Sequence, residues 1–265
     1  PANATLGFGT VIAVSRQGSK RQERLLYAAN LTDIDITIPT QPDWSDEDIE
    51  KIRKKDGSKI SRGSARAWLG HLHALRWFMQ SNLDTAVIIE DDVDWDIHLR
   101  STQKAPPNNI SQNNSMSALI DNPETDYWGH PSQWEILYLG HCGDFFSANR
   151  LRNNLPHTTI HDTTLPPVSH LHVRTRKFWK DLQLPHQSRL VHRSVWPLCT
   201  FAYAVNRKSA ERILEEFDKE GDEGTPAYDV RILEACRDLG WLCYSVNPEL
   251  FHHDDGPSEI AAVNE

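Results

Sequence analysis

Glu90, Asp91 and Asp92 stand in a row directly after the apolar run Ala86-Val87-Ile88-Ile89. Carboxylates crowded at the end of a buried strand repel one another, and a bound cation would relieve that repulsion. Alternate side chains of an extended backbone point the same way, so Glu90 and Asp92 are expected to converge on one ion. Hard oxygen donors suit Mn2+ or Mg2+, which proteins commonly share with a substrate's phosphates. A solvated acidic turn is the plainer alternative. His252 and His253, close to the end of the chain, either fold back as further metal ligands or form a surface tail. Ser15, Arg16, Lys20, Arg21 and Arg24 follow the first apolar run, where cations could reach a nucleotide's phosphates. A solvated charged face is the alternative there. Asp229 follows the loop Gly221–Pro226 and opens a helix, a position that the helix dipole favours for any acid. To act as a general base it must also reach an acceptor hydroxyl. Asp144, after Gly143, is its rival. Trp95, Trp128 and Trp196 fall in loops where a ring could stack on a sugar, whereas Trp68 and Trp241 are expected in the core.

These residues need a scaffold, and the hydropathy pattern supplies one. Thr10–Val14 reads as a buried strand, the stretch 22–31 as a helix and Ile34–Ile38 as a half-buried strand ended by Pro39 and Pro42. Ser45, with Asp48 three residues on, starts a charged helix reaching Lys55. Ala65, Trp68, Leu69, Leu72, Leu75 and Phe78 recur at the spacing of an amphipathic helix over 64–80. His71 and His73 on that helix cannot face one ligand together, and His71 is expected to pack or to hydrogen-bond. The strand 86–89 follows, so the acidic row lies beyond a strand's carboxyl end, where α/β sheets bind ligands. Further strands are expected at 134–139, 200–205 and 241–246, with helices over 208–219 and 229–239. Two long loops, 98–132 and 149–194, interrupt this pattern, the second rich in histidine and proline. The result is one α/β domain spanning 1–265, with no internal repeat.

Composition removes several classes. The chain of 265 residues carries 28 Lys and Arg against 37 Asp and Glu, a net charge of −9, which argues against nucleic acid as a partner. No apolar run reaches the ~18 residues of a membrane span. The chain opens on Pro1, so an N-terminal signal or anchor is expected to have been removed. Cys142, Cys199, Cys236 and Cys243 lack metal-knuckle spacing, and their even number permits two disulfides. Asn3, Asn30, Asn109 and Asn113 each begin an Asn-x-Ser/Thr sequon, which favours a secretory lumen.

The block Gly63-Ser64-Ala65-Arg66-Ala67-Trp68-Leu69-Gly70-His71 leading to Ala86–Val93 resembles glycosyltransferase family 25, the lipopolysaccharide and procollagen galactosyltransferases, and its fungal members especially. Thr200–Val205, Ala227-Tyr228-Asp229 and Pro248–Phe251 look like later blocks of that family. The resemblance implies a GT-A fold, with a Rossmann-like mixed sheet and helices on both faces. It implies a Mn2+-dependent grip by Glu90, Asp91 and Asp92 on a UDP-sugar, UDP-galactose first, and inversion at the anomeric carbon. It carries a base or substrate role over to Asp229, a carbohydrate or glycoprotein acceptor as partner, and a type II membrane protein of the Golgi lumen as the full-length form. The segment 15–21 departs from the family's Asn-Leu-x-x-Arg pattern. Outside the resemblance, a metal-dependent phosphoesterase using His252 or His253 and a secreted Ca2+-dependent carbohydrate-binding protein are the competing classes.

Overall fold

The computed structural model describes residues 3–54, 56–102 and 128–253. The first half of the chain alternates strand and helix. β1 (Thr10–Val14), α1 (Arg21–Thr32) and a short β2 (Ile36–Thr37) come first, followed by α2 (Asp46–Ile52), α3 (Arg62–Gln80) and β3 (Thr85–Glu90). Ser45 accepts the Asp48 N–H while Asp48 reaches back to the Ser45 N–H, so α2 starts on a capping box as expected. α3 begins at Arg62, earlier than its apolar spacing suggests, because the Ser61 hydroxyl caps the Ser64 N–H at 3.1 Å. Trp68, Leu72, Leu75 and Phe78 on its inner face are fully buried. Burial of each is worth about 1.5–3 kcal/mol.

The remaining elements are β4 (Val93–Trp95), the single turn α4 (Leu99–Thr102), β5 (Ile136–Gly140), α5 (Ala148–Arg152), β6 (His157–His161), α6 (Val173–Leu182), β7 (Ser188–Arg193), β8 (Ala202–Asn206), α7 (Arg207–Glu216), α8 (Tyr228–Asp238), β9 (Cys243–Asn247) and β10 (Phe251–His253). The region 149–194, expected as an irregular loop, therefore holds most of α5, the helix α6 and the antiparallel strands β6 and β7 on either side of α6. The middle of the other expected loop, including the sequons at Asn109 and Asn113, lies outside the described residues.

Eight strands form one mixed sheet in the order β2-β1-β3-β8-β5-β9-β7-β6. β1 is parallel to β2 and β3, and β5 is parallel to β9. β8 runs antiparallel to both β3 and β5. The carboxyl ends of β1, β3, β5 and β9 consequently share one edge. Alternation along the strands makes two cores. Ile12, Ile88, Tyr138 and Tyr203 face α2, α3, α7 and α8, while Val11, Ala13, Ile89 and Leu139 face α1 and the small β4–β10 ribbon. The α/β class with helices on both faces agrees with the sequence expectation. No helix among the described residues is long and apolar enough to cross a membrane.

Candidate active site

The chain leaves β1 through α1 toward β2 on one side of the sheet, then returns through α3 to β3 on the other. The carboxyl ends of β1 and β3 thus flank a topological switch point, the place where open α/β sheets form ligand crevices. Register places Val14 opposite Glu90, so Ser15 and Asp91 are the first residues beyond the paired strands. The Ser15 hydroxyl donates to Asp91 Oδ2 and joins the two loops across the crevice. Close approach of α3 to this end of β1 depends on Gly70, where a Cβ would stand 2.9 Å from Val14 Cγ1 and 3.2 Å from Gln41 Oε1.

The acidic row does not converge on one point. β3 ends at Glu90 and the chain turns at Asp91-Asp92, so the alternation that would aim Glu90 and Asp92 together is broken. Glu90 Oε1 lies 3.5 Å from His71 Nε2. Arg21 Nη1 donates to Asp92 Oδ2 at 2.8 Å and lies 3.7 Å from Asp91 Oδ1. His253 Nε2 is 3.3 Å from the same Asp92 oxygen. Arg21, His71 and His253 thereby meet much of the repulsion that the sequence reading assigned to a cation. Burial would raise the Glu90 carboxyl, but the hydrogen bond and charge of His71, helped by His253 and Arg21, hold it below its ordinary value. Burial and the Glu90 charge raise the Asp92 pKa despite the opposing pull of His253 and Arg21.

His253 reaches this place because β10 pairs antiparallel with β4, putting His253 opposite Val93 and thus beside Asp92. Strand alternation sends His252 the other way, where Nδ1 is 3.3 Å from Glu249 Oε1. Of the two expected histidine ligands, only His253 belongs to the site. Arg16 is exposed on the β1–α1 loop, and its carbonyl accepts from Gln22 Nε2 and the Ser19 N–H.

Behind Glu90 runs a buried polar chain. His71 Nδ1 is 3.3 Å from the Tyr203 hydroxyl, which is 2.9 Å from that of Tyr228, and the Tyr228 ring stacks on His71 at 4.6 Å. Burial keeps both phenols protonated by raising their pKa values. This polar chain fixes the His71 ring with Nδ1 toward the tyrosines and Nε2 toward Glu90. Sequence reasoning treated His71 as a packing or hydrogen-bonding residue and missed the two tyrosines. Its signal was their place on β8 and at the start of α8 beside Asp229.

Asp229 sits in the first turn of α8, and its Oδ2 accepts the Cys199 N–H at 3.2 Å. Burial raises its pKa, with backbone N–H groups of Val230 and Cys199 opposing and the nearby Glu90 charge adding to the rise. Cys199 presents that N–H from a left-handed backbone at φ 68° and is tied by a disulfide to Cys142, beyond the end of β5. Asp144, the expected rival base, is fully buried. It accepts from the N–H groups of Val195 and Trp196 and from the Ser245 hydroxyl at 2.7–3.0 Å, leaving no face for a substrate. It anchors the loop that carries Cys199. Trp95 is likewise internal, donating to Thr32 Oγ1 at 3.0 Å, and Trp128 stacks on Phe8. Trp196 is half exposed, under the Arg237 guanidinium at 4.6 Å.

Among the described residues no group of three or more His, Cys, Asp or Glu side chains forms a ready metal cage. Asp92 Oδ1, however, is buried without a hydrogen-bond partner. An unpartnered carboxylate oxygen beside an imidazole fits a divalent ion held by few protein ligands and completed by a substrate's phosphates. It does not fit a closed, all-protein site. No family model matches the chain, and no curated protein matches its sequence.

Proposed function

We propose that the chain is a metal-dependent, inverting glycosyltransferase with a GT-A fold over one catalytic domain. Its donor is a UDP-sugar, UDP-galactose first, and its acceptor a hydroxyl of a carbohydrate or glycoprotein. The observation that carries this reading is the pairing of Ser15 with Asp91 across the β1–β3 switch point, beside the unpartnered Asp92 Oδ1. Asp92 and His253, with Asp91 and Glu90 behind them, are the residues that would hold Mn2+ or Mg2+. When bound there with the donor's phosphates, such an ion offsets the negative charge that develops on the departing UDP. Arg21, with Nη1 2.8 Å from Asp92 Oδ2 and 3.7 Å from Asp91 Oδ1, holds the two carboxylates together at the crevice. His71 holds Glu90 through Nε2, and the two tyrosines fix the ring behind it. Asp229 takes the proton of the acceptor hydroxyl at a carboxylate whose raised pKa brings it nearer the working pH of a general base. All four cysteines are paired, which supports a place in an oxidising secretory lumen.

A thermal-shift titration with UDP, with and without Mn2+, tests the reading without knowledge of the acceptor. A ligand at ~100 times its Kd adds about 2.7 kcal/mol of stability. A shift requiring both additions is expected, and its absence in folded protein would overturn the proposal. The nearness of His253 to Asp92 also favours a phosphoesterase. That alternative gives release of phosphate from p-nitrophenyl phosphate in the absence of any sugar acceptor. A Ca2+-dependent lectin gives stabilisation by Ca2+ and glycan alone.

A further inference from the structure

α1 turns an apolar ridge to solvent, with Leu26 47 %, Tyr27 71 % and Leu31 63 % exposed. Nothing in the proposed chemistry uses this face, since Arg21 reaches the acids from the other end of the helix. Exposed apolar side chains gathered on one short helix mark a surface that something covers. Asn30 is exposed in the middle of the ridge and begins the sequon Asn30-Leu31-Thr32. On a helix, residues three and four apart are neighbours, so Tyr27 and Leu26 flank Asn30 on its N-terminal side. Leu31 adjoins Tyr27 by the same spacing. We propose that Asn30 is an N-glycosylation site whose first sugars lie along Tyr27 and Leu26 and cover the ridge. The apolar face of a pyranose matches a phenol ring, and the ring's hydroxyl stays in water.

The chemistry is a transfer from a lipid-diphosphate-linked oligosaccharide. A bond forms between Asn30 Nδ2 and the sugar's C1, the C1–O bond to the diphosphate breaks, and one amide proton leaves as the lipid diphosphate departs. The oxidising compartment that supplies this donor is the one the two disulfides call for. Geometry also sets the order of events. Thr32, whose hydroxyl the transferase must engage, is buried in the folded chain, donating to the Ala28 carbonyl at 2.8 Å and accepting from Trp95 Nε1. Transfer at Asn30 therefore precedes docking of β4 onto α1.

The test is secretion of the chain from a eukaryotic host behind a cleavable leader, followed by peptide-N-glycosidase in heavy-oxygen water and peptide mass spectrometry. The expected result is Asn30 converted to labelled Asp in most molecules, and loss of one glycan in Asn30→Gln. Purified, folded, unglycosylated chain is expected to gain no glycan at Asn30 from an isolated oligosaccharyltransferase, while the reduced and unfolded chain gains one there, both read by the same mass label at that residue. In a chain whose other sequons are removed by Asn3→Gln, Asn109→Gln and Asn113→Gln, Tyr27→Ala is expected to keep the Asn30 glycan but to abolish the difference in melting temperature between glycosylated and enzymatically deglycosylated protein. An unlabelled Asn30 in the secreted wild type overturns the site. An unchanged glycan-dependent stability in Tyr27→Ala overturns the covering of the ridge. Neither readout depends on the chain's transferring a sugar itself.

Discussion

Opposite pKa shifts separate the carboxylates of this site. Asp229 and Asp92 are both raised, chiefly by burial, with Glu90 adding to each. An acid with a raised folded pKa holds its proton more tightly in the fold than in the unfolded chain. Its ionisation weakens the fold at neutral pH, and the penalty is relieved as pH falls through the raised value. Asp229→Asn keeps an oxygen for the Cys199 N–H and removes the charge, so it should melt slightly higher than wild type at pH 7. Under the proposed function, with Asp229 as general base, sugar transfer should fall about 10²–10⁴-fold. Scanning fluorimetry and a UDP-release assay on one preparation read both effects, and an unchanged rate would take Asp229 out of the chemistry. Glu90 behaves in the opposite sense. Burial opposes its ionisation, but His71 above all holds its carboxyl below 4.5. That stabilisation is complete at neutral pH and is lost as pH falls below 4.5 through the lowered folded value. His71→Gln should therefore melt lower than wild type at pH 7, and the gap should narrow as pH falls from 4.5 through the lowered folded value. A gap that stays constant over that range would mean that His71 acts through packing alone.

Elements built from contiguous apolar runs were legible in the sequence, because burial alone determines them. β1, β3, β5, β8 and β9 fall where the hydrophobic runs place them, and α2 and α3 follow from their caps and periodicity. The illegible parts depend on partners distant in sequence. β6 reads His-Thr-Thr-Ile-His and is a strand only because it pairs with β7. β10 exists through its pairing with β4, and without that register His253 would have no reason to sit beside Asp92. The acidic row was legible as a carboxylate cluster beyond the end of β3, but its failure to converge was not, because one turn after Glu90 separates the carboxylates. Arg189 locks the turn that leads into β10. Its Nε donates to Asp162 at 2.6 Å, and Nη1 donates to the Pro248 and Glu249 carbonyls at 2.6 and 2.9 Å. Arg189→Ala leaves Asp162 buried and unpaired, at a cost of about 3–5 kcal/mol. The double change Asp162→Leu with Arg189→Met removes both charges and should recover most of that stability. Neither variant restores the hold on the Pro248 and Glu249 carbonyls, so UDP–Mn2+ affinity should stay weakened in the double variant. Wild-type affinity there would show that the turn does not need Arg189 to present His253.

At the scale of the whole molecule, the sheet gathers loops from remote parts of the chain at one edge, and the two disulfides serve that edge unequally. Cys142–Cys199 closes 57 residues and ties the end of β5 to the loop whose N–H holds Asp229. Cys236–Cys243 closes 7 residues, joining the last turn of α8 to the start of β9. Loop-closure entropy gives about 4 kcal/mol for the longer bridge and about 2 kcal/mol for the shorter. At this chain length such losses lower the melting temperature by about 10 °C and about 5 °C. Function should divide more sharply than stability. Opening the longer bridge with Cys142→Ser and Cys199→Ser leaves a left-handed residue held only by packing, the residue 142 N–H on the Leu198 carbonyl and its own N–H on Asp229. Asp229 loses its fixed donor, and transfer should drop further than the folded fraction does, while UDP–Mn2+ binding at the β1–β3 crevice persists. Opening the shorter bridge with Cys236→Ser and Cys243→Ser should lower the melting temperature and leave transfer by the folded fraction unchanged. Turnover and UDP-dependent melting shifts, compared at a temperature where both variants remain folded, separate the two roles. Equal losses of turnover per folded molecule would mean that the longer bridge stabilises the sheet without positioning Asp229.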